Sequence, residues 1–582
     1  MSALGFTATG AAQAAIQAHV PALVAEKTAS RIAAKDDTLW GPEAQAEASK
    51  RLGWVDLAGT SRPLVEPILD LRRELQADGI DRIVLAGMGG SSLAPEVITA
   101  TADVELVVLD STDPEMVGNA LTDRLATTAL VVSSKSGSTV ETDSQRRVFS
   151  QAFEDAGIDA ASRIIVVTDP GSPMDKASRK AGYRAVFNAN PDVGGRYSAL
   201  TAFGLVPSGL AGVDIATLLD EAEEAAEFLA DDDEDNLGLA LGAALAGTTP
   251  LRNKIVFVDE GSGIVGFADW AEQLIAESTG KHGTGLLPVV VEPGAEETVH
   301  QADDVLLVHL VSDDEDPVIA TQGHHVYVSG SLGSQMLLWE YATVVAGKLL
   351  GIDPFDQPDV EAAKIAARGL LDATPEPETA QLVDGDIELR ATEGLLEGAA
   401  GVTDAVANLL GALPADGYLS IQAYLDRIGH ADLATLREDL SVASNRPTTF
   451  GWGPRFLHST GQFHKGGPRI GVYLQITADS DTDISIPDRP FTFGELISAQ
   501  ATGDAQVLAD NGRPVLRLHL GSRDEGIRQL RAAISALPGI HQYHRGRAAP
   551  GAARSPRCFT TESTPWQIPP RTPPCAIVGT AA

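Results

Sequence analysis

The sequence predicts an α/β protein with two doubly wound parallel-sheet modules, N-terminal helices and a mixed α/β C-terminal region. Short segments that are apolar throughout alternate with helical patterns, which is typical of strands buried on both faces of a parallel sheet. This alternation occurs twice, in residues 76–236 and again in residues 237–370. At 582 residues the chain is also too long for one hydrophobic core. We therefore expect several packed layers of helices and sheets.

Composition and charge exclude some classes of function. The formal net charge is −37, so we expect no nucleic-acid partner, because phosphate backbones are bound through clustered lysine and arginine. No apolar stretch reaches the roughly 18 to 20 residues of a membrane helix, and the first residues lack the pattern of a signal peptide. We therefore expect a cytoplasmic protein without a membrane partner. Both cysteines, Cys558 and Cys575, lie near the end of the sequence, so we expect neither a disulfide nor a thiolate metal site in the body.

The predicted elements follow one another in a simple order. Residues 1–75 have apolar positions at helical spacing, for example in "AAIQAHVPALVAEK", and predict helices. Residues 76–236 repeat strand, loop and helix, beginning with "DRIVLAG" and "MGGSSLAPEVITA". They end in the acidic run "DDDEDN", which we interpret as a solvated linker. Residues 237–370 repeat the pattern from "NKIVFVDEGSG" to the long helix "SQMLLWEYATVVAGKLLG".

The C-terminal region is less regular. Residues 371–538 predict a mixed region with the strand candidates "YLSIQAYL", "GVYLQIT" and "VLRLHL". Residues 539–582 are rich in proline and arginine, lack periodicity and reverse the charge sign of the body, so we predict a disordered tail. The adjacent pair His324-His325 is interpreted as the start of a strand rather than as metal ligands. We expect no metal and no cofactor.

Two loops of the first module have the chemistry of phosphate binding. In "GMGGSS" the glycines, including Gly90, let backbone N–H groups approach an anion closely, and Ser91 adds a hydroxyl. The loop "SSKSGST" repeats this chemistry with the hydroxyl donors Ser134, Ser136, Ser138 and Thr139. Either loop alone could be a structural turn between strand and helix. Two such loops in one module favour a phosphorylated ligand.

A third glycine loop suggests a different ligand. "GSGIVG", with Gly261, Gly263 and Gly266, follows the strand "KIVFVD" and satisfies the dinucleotide fingerprint G-x-G-x-x-G. The ribose-binding acid expected roughly 20 residues later is not evident, since Glu277 comes earlier and in a helix-like stretch. We therefore interpret this loop as a tight turn that packs a helix on a sheet. The sequence contains no G-x-x-x-x-G-K-[ST], which disfavours nucleotide hydrolysis.

Five motifs carry a resemblance to a known family. In chain order they are "AGMGGSSLAPE", "SSKSGSTVET", "VGGRYSALTAFG", "ESTGKHG" and "GIDPFDQPDVEAAK". They resemble segments of glucose-6-phosphate isomerase, a family built from two sugar-isomerase (SIS) modules. The resemblance is closest to the isomerase half of transaldolase–isomerase fusion proteins, although no separate transaldolase domain is evident. It implies a homodimeric enzyme without a cofactor that interconverts glucose 6-phosphate and fructose 6-phosphate in glycolysis and gluconeogenesis.

The resemblance also implies roles for individual residues. Arg196 matches the arginine that stabilises the enediolate, Glu277 matches the catalytic base, and Lys364 matches a lysine that helps to open the sugar ring. The remaining matched positions are implied to contact the substrate: Gly90, Ser91, Ser134, Lys135, Ser136 and Thr139 at the phosphate, and Gln273 and Gln357 at the sugar.

The ring-opening histidine departs from the family pattern. That histidine commonly lies in a segment resembling L-H-S-x-G-Q between the glutamate and the lysine, but this interval contains His300 without the motif. The motif occurs far downstream as "FLHSTGQFHKGGP", which contains His458 and His464. Family members can take this histidine from the neighbouring subunit, so a displaced segment can still reach the sugar. We predict that His458 opens the ring, with His300 and His464 as alternatives.

The implied residues match what an aldose–ketose isomerisation needs. A histidine and a lysine can carry the protons of ring opening, a carboxylate can move a proton from C2 to C1, and a fixed cation stabilises the enediolate. A non-catalytic sugar-phosphate sensor would keep the phosphate loops but has no need for Glu277, Arg196 and Lys364 together. A bifunctional enzyme that also accepts mannose 6-phosphate stays open as an alternative.

Overall fold

The computed structural model describes residues 4–313, 317–373 and 378–540. The predicted disordered tail, residues 539–582, lies outside the described residues except for its first two. The described strands are β1 Gly5–Ala8, β2 Arg82–Gly87, β3 Val107–Leu109, β4 Thr128–Ser133, β5 Ile164–Thr168, β6 Ala185–Asn188, β7 Lys254–Glu260, β8 Leu287–Val291, β9 Val305–Val311, β10 His325–Ser329, β11 Leu382–Asp384, β12 Ile387–Ala391, β13 Tyr418–Tyr424, β14 Thr448–Trp452, β15 Gly471–Ala478 and β16 Val515–Leu520.

The helices connect and cover these strands. They are α1 Gly10–Ala25, α2 Thr28–Ala33, α3 Gln45–Ala48, α4 Leu57–Thr60, α5 Val65–Ala77, α6 Leu93–Thr101, α7 Pro114–Thr122, α8 Val140–Asp155, α9 Pro173–Ala181, α10 Ala202–Ala211, α11 Ile215–Leu229, α12 Leu237–Ala246, α13 Phe267–Thr279, α14 Glu296–Val299, α15 Leu332–Leu350, α16 Val360–Ala373, α17 Val402–Gly411, α18 Leu436–Ser444, α19 Gly461–Gly466, α20 Phe493–Asp510 and α21 Arg523–Ser535. Within the described parts of the chain, no helix combines the length and apolar character needed to cross a membrane.

The first sheet is parallel and has five strands. Their order is β3-β2-β4-β5-β6. Every residue of β2, β4 and β5 is buried, because helices cover both faces, as the unbroken apolar sequences predict. The chain order changes direction between β2 and β4. Such a switch point opens a crevice at the carboxyl ends of the strands, where ligands of open α/β sheets bind.

The second sheet takes one strand from the N-terminal segment. Its order is β1-β10-β9-β7-β8, and β7 to β10 are parallel, whereas β1 pairs antiparallel with β10 from Gly5 opposite Ser329 to Ala8 opposite Val326. The sequence predicts only helices in residues 1–75, so this strand is a correction. A strand of four residues is too short for a recognisable periodicity, and its partner lies far away along the chain.

The C-terminal region contains a third, mixed sheet. Its order is β11-β12-β16-β15-β13-β14, in which β13 to β16 are parallel to one another and β11 and β12 are antiparallel additions. The three predicted strand segments "YLSIQAYL", "GVYLQIT" and "VLRLHL" correspond to β13, β15 and β16. The connection between β14 and β15 contains the segment "FLHSTGQFHKGGP", which includes α19.

The third sheet is packed closely against the other two. Phe493 and Leu496 of α20 belong to the hydrophobic core on one face of the first sheet. Tyr418, Phe463 and Tyr473 complete a core on the second sheet. Because these cores share residues from distant parts of the sequence, the chain up to residue 540 forms one compact unit.

Charged side chains join the carboxyl ends of the first and third sheets. Asp110, which follows β3, is fully buried and contacts Arg427 at 3.0 Å and Arg455 at 2.6 Å. Both arginines also contact Glu96 of α6, at 2.8 and 2.5 Å. The two arginines follow β13 and β14. This cluster therefore holds the loops of the third sheet against the crevice of the first.

We predict that Arg455→Met lowers the free energy of unfolding by about 3 to 5 kcal/mol, because it leaves buried carboxylates with too few positive partners. Arg531→Met is the control, since Arg531 pairs with Asp432 on the surface, where an ion pair contributes about 0 to 1 kcal/mol. Urea unfolding measures both values. Equal losses in the two variants would contradict the stabilising role of the buried cluster.

Candidate active site

The two predicted phosphate loops lie side by side at the switch point of the first sheet. The glycine loop follows β2, the hydroxyl loop follows β4, and these two strands are neighbours. Gly90 lies so close to Gly195 that a Cβ atom would be 1.9 Å from the Gly195 carbonyl oxygen. Glycine is therefore required at this position. Ser91 is half-buried and lies two residues before Leu93, the first residue of α6.

The hydroxyl loop is organised by its own side chains. The Ser134 hydroxyl accepts a hydrogen bond from the backbone N–H of Gly137 at 3.1 Å and lies 3.2 Å from the Thr139 hydroxyl. The hydroxyls of Ser136 and Ser138 are 2.7 Å apart. Gly137 has a φ of +74°, a conformation that favours glycine. The loop thus presents a group of neutral hydroxyls at the start of α8.

Lys135 of this loop already has partners. Its Nζ lies 2.8 Å from the carboxylate of Asp169 and donates a hydrogen bond to the Pro191 carbonyl oxygen at 3.1 Å. The lysine therefore ties the hydroxyl loop to the chain that follows β5. A substrate contact by Lys135, which the resemblance implies, would have to compete with this ion pair.

Arg196 forms the centre of the site. Its side chain is buried, with Nε donating to the Ser278 hydroxyl at 2.7 Å and Nη1 donating to the Gln357 side-chain oxygen at 2.9 Å. Nη2 donates to the carbonyl oxygens of Pro354 and Asp356. Nη1 also lies 3.3 Å from the Glu277 carboxylate. One guanidinium group therefore orients the end of α13 and the loop that carries Gln357.

Gln273 connects Glu277 to the displaced histidine segment. Gln273 and Glu277 are four residues apart on α13 and so project from one face. The Gln273 amide donates to the Glu277 carboxylate at 3.0 Å and to the backbone carbonyl oxygen of His458 at 2.7 Å. A Cβ atom on Gly89 would be 2.8 Å from the same carbonyl oxygen. The histidine segment thus reaches both α13 and the glycine loop within one chain.

The imidazole of His458 contacts a buried carboxylate. Its Nε2 lies 3.1 Å from Oε1 of Glu141, the second residue of α8. Burial favours the neutral form of Glu141, but the hydrogen bond and charge of His458 and the charge of Lys364 hold the Glu141 pKa below its ordinary value. The Gln500 amide donates to the same oxygen at 2.7 Å. Lys364, on α16, is half-buried.

The other two candidate histidines lie in different surroundings. The His300 side chain is 66% exposed and pairs with Glu296 on the short helix α14. His464 is buried against Tyr418, whose hydroxyl lies 3.0 Å from its Nδ1. Burial lowers the pKa of His464 well below its ordinary value, so this imidazole stays neutral.

The dinucleotide-like loop uses its own amide groups internally. The Asp259 carboxylate accepts hydrogen bonds from the backbone N–H groups of Gly261 and Ser262 at 2.9 and 2.8 Å. Gly261, Gly263 and Gly266 all have positive φ and lead directly into α13. Amides already bound to a carboxylate are a poor pyrophosphate site. The loop instead forms the turn at which α13 begins, and α13 carries Gln273 and Glu277.

Lys281 supports the loop that carries Gln357. It is fully buried, and its Nζ donates to the carbonyl oxygens of Asp353 and Asp356 at 2.7 Å and to the Asp356 carboxylate at 2.6 Å. Burial, together with the nearby charge of Arg196, lowers the pKa of Lys281 to about 8. Two buried cations therefore bind the same short loop.

Sequence reasoning missed four polar residues of this site: Glu141, Ser278, Lys281 and Gln500. Three of them stand inside or beside quoted motifs, since Glu141 ends "SSKSGSTVE" and Ser278 and Lys281 belong to "ESTGK". A signal was available for Glu141, because an acidic residue in the first turn of a helix, directly after a predicted phosphate loop, would lie close to the ligand. Gln500 carries no such signal. Within the described residues, no group of three or more histidine, cysteine, aspartate or glutamate side chains is arranged to hold a metal ion.

Comparison with known proteins points to one family. A family model described as phosphoglucose isomerase matches residues 74–282. The chain is 31% identical over 365 residues to a probable glucose-6-phosphate isomerase of Haloarcula marismortui, and the match covers 54% of this chain and 83% of that protein. A probable glucose-6-phosphate isomerase of Natronomonas pharaonis is 29% identical over 398 residues, with 60% and 90% of the two chains covered.

A solved structure agrees with the fold. The crystal structure of a hypothetical protein from Thermus thermophilus superposes with a TM-score of 0.52 at 25% sequence identity. The superposition covers 63% of this chain and 100% of that one.

We predict that Lys281→Met changes the pH dependence of stability. The pKa of Lys281 is about 8 in the folded chain, below its ordinary value of 10.5. Between these values the unfolded chain binds more protons, so this titration raises the free energy of unfolding as pH increases. From pH 7 to pH 10.5, wild type should gain about 2 to 3 kcal/mol relative to Lys281→Met in urea unfolding. A constant difference would contradict the low pKa.

Proposed function

The chain belongs to the glucose-6-phosphate isomerase family and isomerises glucose 6-phosphate and fructose 6-phosphate reversibly, and from this premise we propose how its own residues carry out the reaction. The observation that carries the proposal is the grouping of Glu277, Arg196 and His458. The Glu277 carboxylate is 3.3 Å from Arg196, and Gln273 links it to the backbone of His458. The association of a carboxylate, a buried cation and the histidine segment supports the proposal.

Ring opening requires a proton to leave the anomeric hydroxyl and a proton to reach the ring oxygen as the C1–O bond breaks. We assign these transfers to His458 and Lys364, since imidazole and ammonium groups are suited to carry protons near neutral pH. The contact between Nε2 of His458 and the Glu141 carboxylate supports a tautomer with hydrogen on Nε2. Nδ1 is then the nitrogen that can accept a proton from the sugar.

Isomerisation of the open chain needs a base that reaches two adjacent carbons. We assign this step to Glu277, whose carboxylate takes the proton from C2 and returns it to C1, while a proton moves from the C2 oxygen to the C1 oxygen. The enediolate formed between these transfers carries negative charge on oxygen. Arg196 is suited to stabilise it, because a buried guanidinium keeps its charge and is already fixed in position.

We assign phosphate binding to the two loops at the switch point. The glycine loop supplies backbone N–H groups, and the hydroxyl loop supplies Ser134, Ser136 and Thr139. Such neutral donors bind an anion without requiring a positive surface, which suits a chain with a net charge of −37. Anchoring the phosphate away from the reacting carbons lets binding energy orient them.

The resemblance and the net charge support three proposals about the whole protein. We propose that it forms a homodimer and acts in the cytoplasm. We propose no nucleic-acid partner, because the net charge of −37 opposes binding to a phosphate backbone.

We expect Glu277→Gln to lower kcat for conversion of fructose 6-phosphate to glucose 6-phosphate by about 1,000-fold, because the amide cannot move a proton between C2 and C1. A coupled dehydrogenase assay measures this rate. The control is Glu272→Gln on the same helix, whose carboxyl is already neutral at pH 7 because burial raises its pKa to about 8. Unchanged activity in Glu277→Gln would refute the assignment of the base.

His458→Ala should lower kcat by about 100-fold with cyclic substrate, because ring opening loses its proton carrier. His300→Ala should leave kcat within a factor of about 2, because a side chain that is 66% exposed and outside the crevice contributes little to the reaction. The same coupled assay compares the two variants. A fully active His458→Ala beside an inactive His300→Ala would reverse the histidine assignment.

A further inference from the structure

Four side chains from distant parts of the sequence form a continuous series of hydrogen bonds beside the crevice. The Thr112 hydroxyl donates to the Gln500 side-chain oxygen at 2.6 Å. The Gln500 amide nitrogen donates to Oε1 of Glu141 at 2.7 Å. The same carboxylate oxygen lies 3.1 Å from Nε2 of His458. All four residues are buried or nearly so, and the His458 side chain is 14% exposed.

The orientation of the Gln500 amide is determined by its two partners. A rotated amide would place its oxygen against the Glu141 carboxylate, where two acceptors repel each other. In the observed orientation the amide oxygen accepts a hydrogen bond from Thr112, and the amide nitrogen donates one to Glu141. Because Gln500 is only 4% exposed, water cannot easily replace either hydrogen bond, and loss of one partner would leave a buried polar group unsatisfied.

The hydrogen bond from Gln500 acts on the anionic form of Glu141. Two donors, Gln500 and His458, share one carboxylate oxygen, and donors to a carboxylate favour its ionised form. The charged or titratable side chains that act on Glu141 include His458 and Lys364. An ionised Glu141 holds the hydrogen on Nε2 of His458 and leaves Nδ1 as the basic nitrogen.

We propose that Gln500 is a positioning residue for ring opening, which holds Glu141 in the place and charge state that orient His458. The proposal rests on the function proposed above, and specifically on the role of His458. Gln500 reaches this position because α20 packs beside α16 and against the first sheet. The residue lies outside the five motifs of the resemblance.

The test compares Gln500→Leu with Gln475→Leu in the full chain. Gln475 is a matched control, because it is fully buried on β15 and donates a hydrogen bond to the same helix, at the Ala501 carbonyl oxygen. Both variants bury an apolar side chain in place of an amide. Gln500→Leu alone removes a donor from Glu141.

The readout separates ring opening from isomerisation. Enzyme-catalysed exchange between the α and β anomers of glucose 6-phosphate, followed by NMR, measures ring opening directly. Conversion to fructose 6-phosphate measures the complete reaction. We expect Gln500→Leu to slow anomer exchange by about 10-fold or more and to slow isomerisation less, since loss of a general acid–base contribution costs about 100- to 10,000-fold when complete. Gln475→Leu should leave the ratio of the two rates unchanged.

The pH profile gives a second readout. Without the Gln500 donor, the Glu141 carboxylate is easier to protonate, so the acidic limb of kcat/KM should move to higher pH in Gln500→Leu. The milder variant Thr112→Val removes the hydroxyl that orients the amide. It should change both readouts in the same direction by a smaller factor, and it replaces Gln500→Leu as the test if that variant does not fold.

The outcomes distinguish this proposal from the one on which it rests. A wild-type chain without isomerase activity would refute the function itself. If His458→Ala loses anomer exchange while Gln500→Leu and Thr112→Val keep the rate ratio and pH profile of Gln475→Leu, the positioning role of Gln500 is overturned. If His458→Ala keeps anomer exchange, the role of His458 fails and this inference fails with it. A selective loss of anomer exchange in Gln500→Leu or Thr112→Val supports the proposal.

Discussion

The buried guanidinium of Arg196 joins three separate parts of the chain. It extends from the loop after β6 to Ser278 at the end of α13 and to the loop that carries Gln357. Most of its acceptors are neutral carbonyl, amide and hydroxyl oxygens, which satisfy its N–H groups without cancelling its charge. The nearby anion is Glu277, whose carboxylate oxygen lies 3.3 Å from Nη1 of Arg196. Removing a charge from water is costly, so these acceptors must stay in place, and they hold the crevice together.

An acidic protein that binds a phosphate needs local attraction rather than a positive field. We assign this attraction to the two loops at the switch point, which offer backbone N–H groups, hydroxyls and the N-terminal ends of helices. Two lysines of the site already have partners. Lys135 is paired with Asp169, and Lys281 is buried under the loop of Gln357. In the proposed mechanism the phosphate binds mainly to neutral donors, and the cationic charge of Arg196 acts on the reacting end of the sugar.

The third sheet contributes part of the crevice rather than a separate lobe. Its loops carry His458, Arg427 and Arg455, and the buried contact of both arginines with Asp110 presses these loops against the first sheet. α20 completes the arrangement, because its apolar residues fill a core of the first sheet while Gln500 reaches Glu141. The interface between the first and third sheets therefore contains both the arginine cluster and the contact of the His458 imidazole with Glu141.

The sequence by itself determined the parallel sheets, the two loops rich in glycine and hydroxyl residues and the motifs of the family, because these depend on short-range patterns of apolar, glycine and hydroxyl residues. The fold class and the reaction are confirmed by the comparisons, whereas the roles of single residues stay predictions. Only the tertiary structure decided that β1 joins the second sheet and that His458, Glu141 and Gln500 meet. Strand pairing and side-chain contacts between distant segments depend on packing of the whole chain, and no local pattern records them.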